Sequence, residues 1–171
     1  MENPVSMIMG ALPDLSIRKA LKTILDALGD RVSTRMASQA GLVHGAAALV
    51  AKTGAAACYL FVNGQLATIG AAVNMPALAG SVTNLKFNVY VYYQDSAAVR
   101  TAVMGTEGAS LAAIVFPPTP RQKAIIGFSI VNPTGAGNFV GGTTALDDIT
   151  VVPNAVHISA AAGMDPTILL G

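Results

Sequence analysis

Cys58-Tyr59-Leu60-Phe61-Val62, then Asn63-Gly64, then Gln65-Leu66-Ala67-Thr68-Ile69 is the stretch that decides the fold. Two runs rich in aromatic, aliphatic and β-branched residues flank a dipeptide that tolerates positive φ at both positions. Such a dipeptide closes a two-residue hairpin through a type I′ turn, whose twist matches that of paired strands. An antiparallel hairpin is therefore expected here, with the apolar Cys58 as a small buried strand residue rather than a reactive thiol.

Working toward the C-terminus, Lys86-Phe87-Asn88-Val89-Tyr90-Val91-Tyr92-Tyr93 is again rich in aromatic and β-branched residues. Phe87, Val89 and Val91 alternate with polar Asn88 and the amphipathic Tyr90 and Tyr92, which predicts a strand. Gln94-Asp95-Ser96 turns it into a partner over Val99 to Met104. Further strands are expected at Ala112 to Phe116, Lys123 to Val131 and Ile149 to Ile158, separated by Pro117-Pro118-Thr119-Pro120 and by the Gly- and Pro-rich segment from Asn132 to Gly137. Frequent strands with Gly/Pro punctuation and no fixed-period repeat predict an antiparallel β-sandwich or small barrel.

Toward the N-terminus the period changes. Leu21, Ile24, Leu25, Leu28 and Val32 recur at helical spacing, with Arg18, Lys19, Lys22, Asp26, Asp30 and Arg31 mostly between them. The steps Leu21 to Leu25 to Leu28 to Val32 run four, three, four, the spacing of a coiled-coil seam, which Met36 would extend. Gly41 to Ala57 is almost entirely Ala, Gly, Val and Leu, small enough for backbones to approach closely at an oligomer axis. Residues 1–14 contain Pro4, Gly10 and Pro13 among Val5, Met7, Ile8, Met9 and Leu12, so a continuous helix is excluded and an apolar docking arm is expected. The expected organisation is a docking arm over 1–14, a helical and small-residue oligomerisation region over 15–56, and an antiparallel β domain over 57–171 ending in a small, apolar contact arm. The fold class is mainly β with an N-terminal α-helix that bundles as a trimer.

Composition supports self-association. Of 171 residues 53% are hydrophobic and only 11% charged, against roughly a quarter charged in ordinary soluble proteins. A chain this poor in charge either enters a membrane or covers much of its surface with other protein. The apolar residues are interrupted by Thr, Asn, Ser and Lys, so no window of about 18 residues qualifies as a span. Met1 to Gly10 has the acidic Glu2 and no basic stretch before an apolar core, so the expectation is a chain that stays in the cytoplasm where it is made. A net charge of +1 without a Lys/Arg cluster argues against nucleic acid as a partner.

Chemistry is sparse. His44 and His157 are far apart in sequence, there is one Cys, and no H-x-x-x-H or C-x-x-C spacing occurs, so neither a metal site nor a cofactor site is expected. Asp147-Asp148 would point to opposite faces of a strand and reads as a solvated turn. Gly105-Thr106-Glu107-Gly108 and the glycines from 135 to 142 match no phosphate-loop spacing and read as turns. No nucleophile elbow is present. A non-enzymatic protein is expected, the enzymatic alternative being a small hydrolase using Asp147, Asp148 or Glu107.

Phe87 to Tyr92, Met104-Gly105-Thr106-Glu107-Gly108-Ala109, Ile126 to Gly135 and Asn138 to Asp148 resemble segments of small virion structural proteins of tailed phages, of the head-fibre or capsid-decoration type. The resemblance covers about residues 86 to 158. It implies a trimeric β module presented outward on the virion, with an N-terminal region that attaches it to the capsid. On that reading Leu21, Ile24, Leu25, Leu28, Val32 and Met36 form the homotrimer interface. Val5, Met7, Ile8, Met9 and Leu12 dock on the major capsid protein, and the chain, made in the host cytoplasm, ends on the capsid surface. The alternative within the same class is a tail-fibre or tail-tip subunit that binds a host receptor through Tyr90, Tyr92 and Tyr93 or through the Pro/Gly loops.

Overall fold

The computed structural model describes residues 15–45 and 48–160. It is mainly β with one N-terminal helix, and every strand pairing among the described residues is antiparallel. Helix α1 spans Leu15–Ser33. It stops where side chains begin to compete for the backbone: Ser33 Oγ donates to the Asp30 carbonyl, Thr34 Oγ1 to Asp30 Oδ1, and the Ser33 carbonyl accepts the N–H of Gly64.

A three-stranded sheet follows, with β1 (Arg35–Met36) on one side of β4 (Cys58–Val62) and β5 (Gln65–Ile69) on the other. The expected hairpin is present in the expected register, from Cys58 opposite Ile69 to Val62 opposite Gln65. Asn63 and Gly64 have φ of 53° and 76°, both left-handed as a type I′ turn requires. Cys58, Leu60 and Val62 are buried while Tyr59 faces out, and burial pushes the Cys58 thiol pKa up, consistent with an inert core residue.

The second sheet has the order β11 (Val156–Ser159), β9 (Ala124–Val131), β7 (Asn88–Gln94), β8 (Arg100–Met104). All of β7 is buried, so the polar Asn88 and the amphipathic Tyr90 and Tyr92 are covered as fully as Val89 and Val91 between them. The face carrying Tyr90, Tyr92 and Ser129 is covered by Leu42 and by Phe139 of β10 (Phe139–Val140), which meets Tyr90 edge-on at 6.0 Å. On the opposite face Phe116 meets Phe128 at 5.1 Å. At Gly127 a Cβ would collide with the Ile158 carbonyl and the Leu42 side chain, so this position admits the close approach of β11 only without a side chain. The register between β7 and β9 shifts at Tyr92/Tyr93, which face Gly127 and Ile125 in turn and so leave Ile126 as the extra residue of a bulge.

Two short ribbons complete the body: β2 (Val43–His44) with β3 (Ala51–Lys52), and β6 (Ser81–Val82) with β10. No sheet closes into a barrel among the described residues.

Three expectations change. Residues 35–56 do not extend the helix. Met36 pairs with Leu60 in β1 and is 2% exposed, and Ala40, Leu42 and Ala51 join the same core, so Met36 is removed from the helical seam and the β region begins directly after α1. Ala112 to Phe116 is a 3₁₀ turn over Leu111–Ala113 followed by a single bridge at Val115. Of Ile149 to Ile158 only β11 is strand. Asp148 Oδ1 accepts the N–H and hydroxyl of Thr150, and the Asp148 carbonyl accepts the Val152 N–H, a turn that outweighs the β propensity of Ile149-Thr150-Val151-Val152.

Candidate interaction face and a buried polar chain

Along α1, Ile17, Ile24, Leu28 and Val32 are 51%, 56%, 53% and 66% exposed. Ile17, Leu21, Ile24 and Leu28 follow one another by four, three and four residues, so they share a side of the helix, and Val32 lies one turn beyond. No strand makes more than marginal contact with α1 among the described residues. Polar links at its C-terminal end tie it to the body: both oxygens of Asp30 accept the Gln122 N–H at 3.1 Å, and Gly64 N–H donates to the Ser33 carbonyl. Leu25 turns toward the body, where with Asp26, Asp30, Asn63 and Arg121 it lines a cleft of about 440 Å³. The exposed seam therefore starts one turn earlier than the sequence reading placed it, at Ile17, while Leu25 belongs to its inner margin.

The outer face of the β4–β5 hairpin adjoins this helix end, because the turn residue Gly64 carries the link to Ser33. It bears Tyr59, half exposed, and Phe61 opposite Leu66, which is 61% exposed. Burying one such side chain is worth about 1.5–3 kcal/mol. The helix seam and hairpin face together leave that stabilisation unused in the isolated chain.

A second feature lies where β2 meets the four-stranded sheet. Tyr92 Oη shares a hydrogen bond of 2.8 Å with Ser129 Oγ, Ser129 Oγ one of 2.6 Å with His157 Nδ1, and His157 Nε2 one of 3.1 Å with His44 Nδ1. The chain runs from the fully buried Tyr92 to the exposed His44. Pairing of β11 with β9 sets His157 directly opposite Ser129, and the two imidazoles meet edge to face with centroids 4.6 Å apart. Burial, with the neighbouring His44 ring, pushes His157 down to about 4. Burial raises Tyr92 to about 12. The sequence reading assigned the histidines no role and had no signal to join them, since 113 residues separate them.

The remaining candidates take local structural positions. Glu107 accepts the N–H and hydroxyl of Thr83, which holds its carboxyl below the usual range, and Asp148 caps Thr150. Tyr90, Tyr92 and Tyr93 are fully buried, so they do not form a receptor-binding surface. Val5, Met7, Ile8, Met9 and Leu12 lie outside the described residues, as does the contact arm of residues 160–171 apart from its first residue, Ala160, which is buried against the body. No helix among the described residues is long and apolar enough to cross a membrane. Comparison with known protein families, curated proteins and solved structures gave no match.

Proposed function

We propose that the chain is a non-enzymatic virion structural subunit that assembles as a homotrimer through α1 and decorates a phage capsid. The observation that carries self-association is the row of large aliphatic side chains on α1, more than half exposed at Ile17, Ile24, Leu28 and Val32, on a helix that its own body scarcely covers. In proteins most of a helix's stability comes from what its apolar face packs against, and the 19 residues of α1 find little of that on their own body. A second and third copy of the same seam supply that cover by knobs-into-holes packing, and the adjoining Tyr59, Phe61 and Leu66 face extends the contact.

The capsid as partner rests on the resemblance of residues 86–158 to phage virion proteins. Residues 1–14 lead directly into α1, so a trimeric bundle presents three apolar arms together. Three weak contacts made jointly give far slower release than one. The two-sheet body, with β4 against β9, then acts as the outward module, a sandwich in the finer description. The receptor-binding alternative loses its aromatic platform to the core.

The test is the native mass of the purified chain by light scattering, followed by co-sedimentation with isolated capsids. The wild type is expected at three times the chain mass and in the capsid pellet, and Ile24→Asp with Leu28→Asp is expected to be monomeric and to stay in the supernatant. A monomeric wild type removes the seam as an interface. A trimer that ignores capsids keeps the assembly and removes the decoration role.

A further inference from the structure

We propose that His44 and His157 form a two-nitrogen chelate for a borderline transition-metal ion such as Zn²⁺ or Cu²⁺, clipping the β2–β3 ribbon to strand β11. Two nitrogens each about 2.1 Å from one metal, at the angles of tetrahedral or square geometry, lie about 3.0–3.4 Å apart. His44 Nδ1 and His157 Nε2 are 3.1 Å apart, within the separation that two ligands of one ion require.

The outer partners also fit. A ligating histidine usually commits its other ring nitrogen to a hydrogen bond that fixes the ring and the tautomer. His157 does so through Nδ1 to Ser129 Oγ at 2.6 Å, and Ser129 is itself held by Tyr92 at 2.8 Å. With the metal on Nε2, the proton of neutral His157 sits on Nδ1 and is donated to Ser129 Oγ, which has a second lone pair for the Tyr92 hydroxyl. His44 binds through Nδ1 with its proton on Nε2. Metal binding needs both imidazoles in the neutral form, each with its one remaining N–H on the nitrogen that faces away from the ion.

His44 is exposed, which gives an ion access from solvent. No group of three or more His, Cys, Asp or Glu side chains is placed to hold an ion among the described residues. Water or a donor from another molecule fills the remaining positions. Imidazole donors without carboxylate select Zn²⁺, Cu²⁺ or Ni²⁺ over Mg²⁺ or Ca²⁺. Both ligands belong to one chain, so the site is independent of the oligomeric state proposed above.

The test uses tag-free full-length protein, with Zn²⁺ and then Cu²⁺ as probes. Zn²⁺ at about 1 mM is expected to raise the unfolding midpoint by about 5 °C, as a ligand well above its dissociation constant does. Mg²⁺ is expected to leave it unchanged. Cu²⁺ is expected to give an electron paramagnetic resonance spectrum with coupling to two imidazole nitrogens. His44→Ala, an exposed change that leaves the β9–β11 pairing intact, is expected to abolish the Zn²⁺ shift, and His157→Gln to abolish it with circular dichroism confirming the fold. No shift in the wild type overturns the proposal, as does an equal shift in His44→Ala.

Discussion

Tyr90 and Tyr92 lie two residues apart on one face of β7, equally buried, yet their hydroxyls are in different positions. Tyr92 Oη is bonded to Ser129, whereas Tyr90 Oη is buried with no hydrogen-bond partner among the described residues. Removing a satisfied buried hydroxyl strands its partner, while removing an unsatisfied one relieves a desolvation cost. Tyr90→Phe is therefore expected to leave stability unchanged or raise it by up to about 1 kcal/mol. Tyr92→Phe is expected to lower it by about 1–2 kcal/mol, because Ser129 and His157 lose their anchor. Urea unfolding of the two variants side by side checks the order, and the reverse order contradicts the assignment of the polar chain.

At the scale of elements, one carboxylate ties the end of α1 to the sheets. Asp30 receives the Gln122 N–H on both oxygens and the Thr34 hydroxyl on one, tying the helix end to the loop before β9. Asp30→Ala should cost about 1 kcal/mol, the scale of a part-exposed charged hydrogen bond. Hydrogen exchange should quicken at the Gln122 amide and over the last turns of α1 while β7 and β9 stay protected. Uniform exchange across both regions would mean that the helix and sheets unfold as one unit. The elements also show what the sequence could tell. The β4–β5 hairpin and α1 were legible because their signals are local: a positive-φ dipeptide between β-rich runs, and helical spacing of Leu and Ile. Ile149 to Val152 misled because Asp148 captures Thr150, a local hydrogen-bond choice that a hydrophobicity pattern does not contain. Met36 misled because it continues the helical spacing past the point where pairing with Leu60 takes over. The exposed seam was legible in part, and the His44–His157 pair was not legible at all, since it exists only through the β11–β9 register.

For the whole molecule, the tyrosines predict how the fold fails in alkali. Burial raises Tyr90 and Tyr92 to about 12 from 10.0. Each folded-state phenol keeps its proton where the unfolded one has lost it. Stability is thus fully present below pH 10, falls as pH rises from 10 to 12, and levels off above 12. The loss across that window is about 2–3 kcal/mol for each ring. Phenolate absorbance near 295 nm should rise in two stages, the later one coincident with loss of the β signal in circular dichroism. A single stage at pH 10 with the fold intact contradicts the buried environment.

The four-stranded sheet has one further consequence, which concerns the order in which the chain becomes a fold. Strand β9 waits for β11, whose last residue is Ser159, and Ser159 Oγ accepts the N–H of Leu42, 117 residues earlier. On the ribosome the β4–β5 hairpin can close early, but the sheet cannot finish until nearly all of the described chain has emerged. Until then β9 presents an apolar open edge, and a nascent chain stalled before residue 156 carries a ready template for pairing with its neighbour.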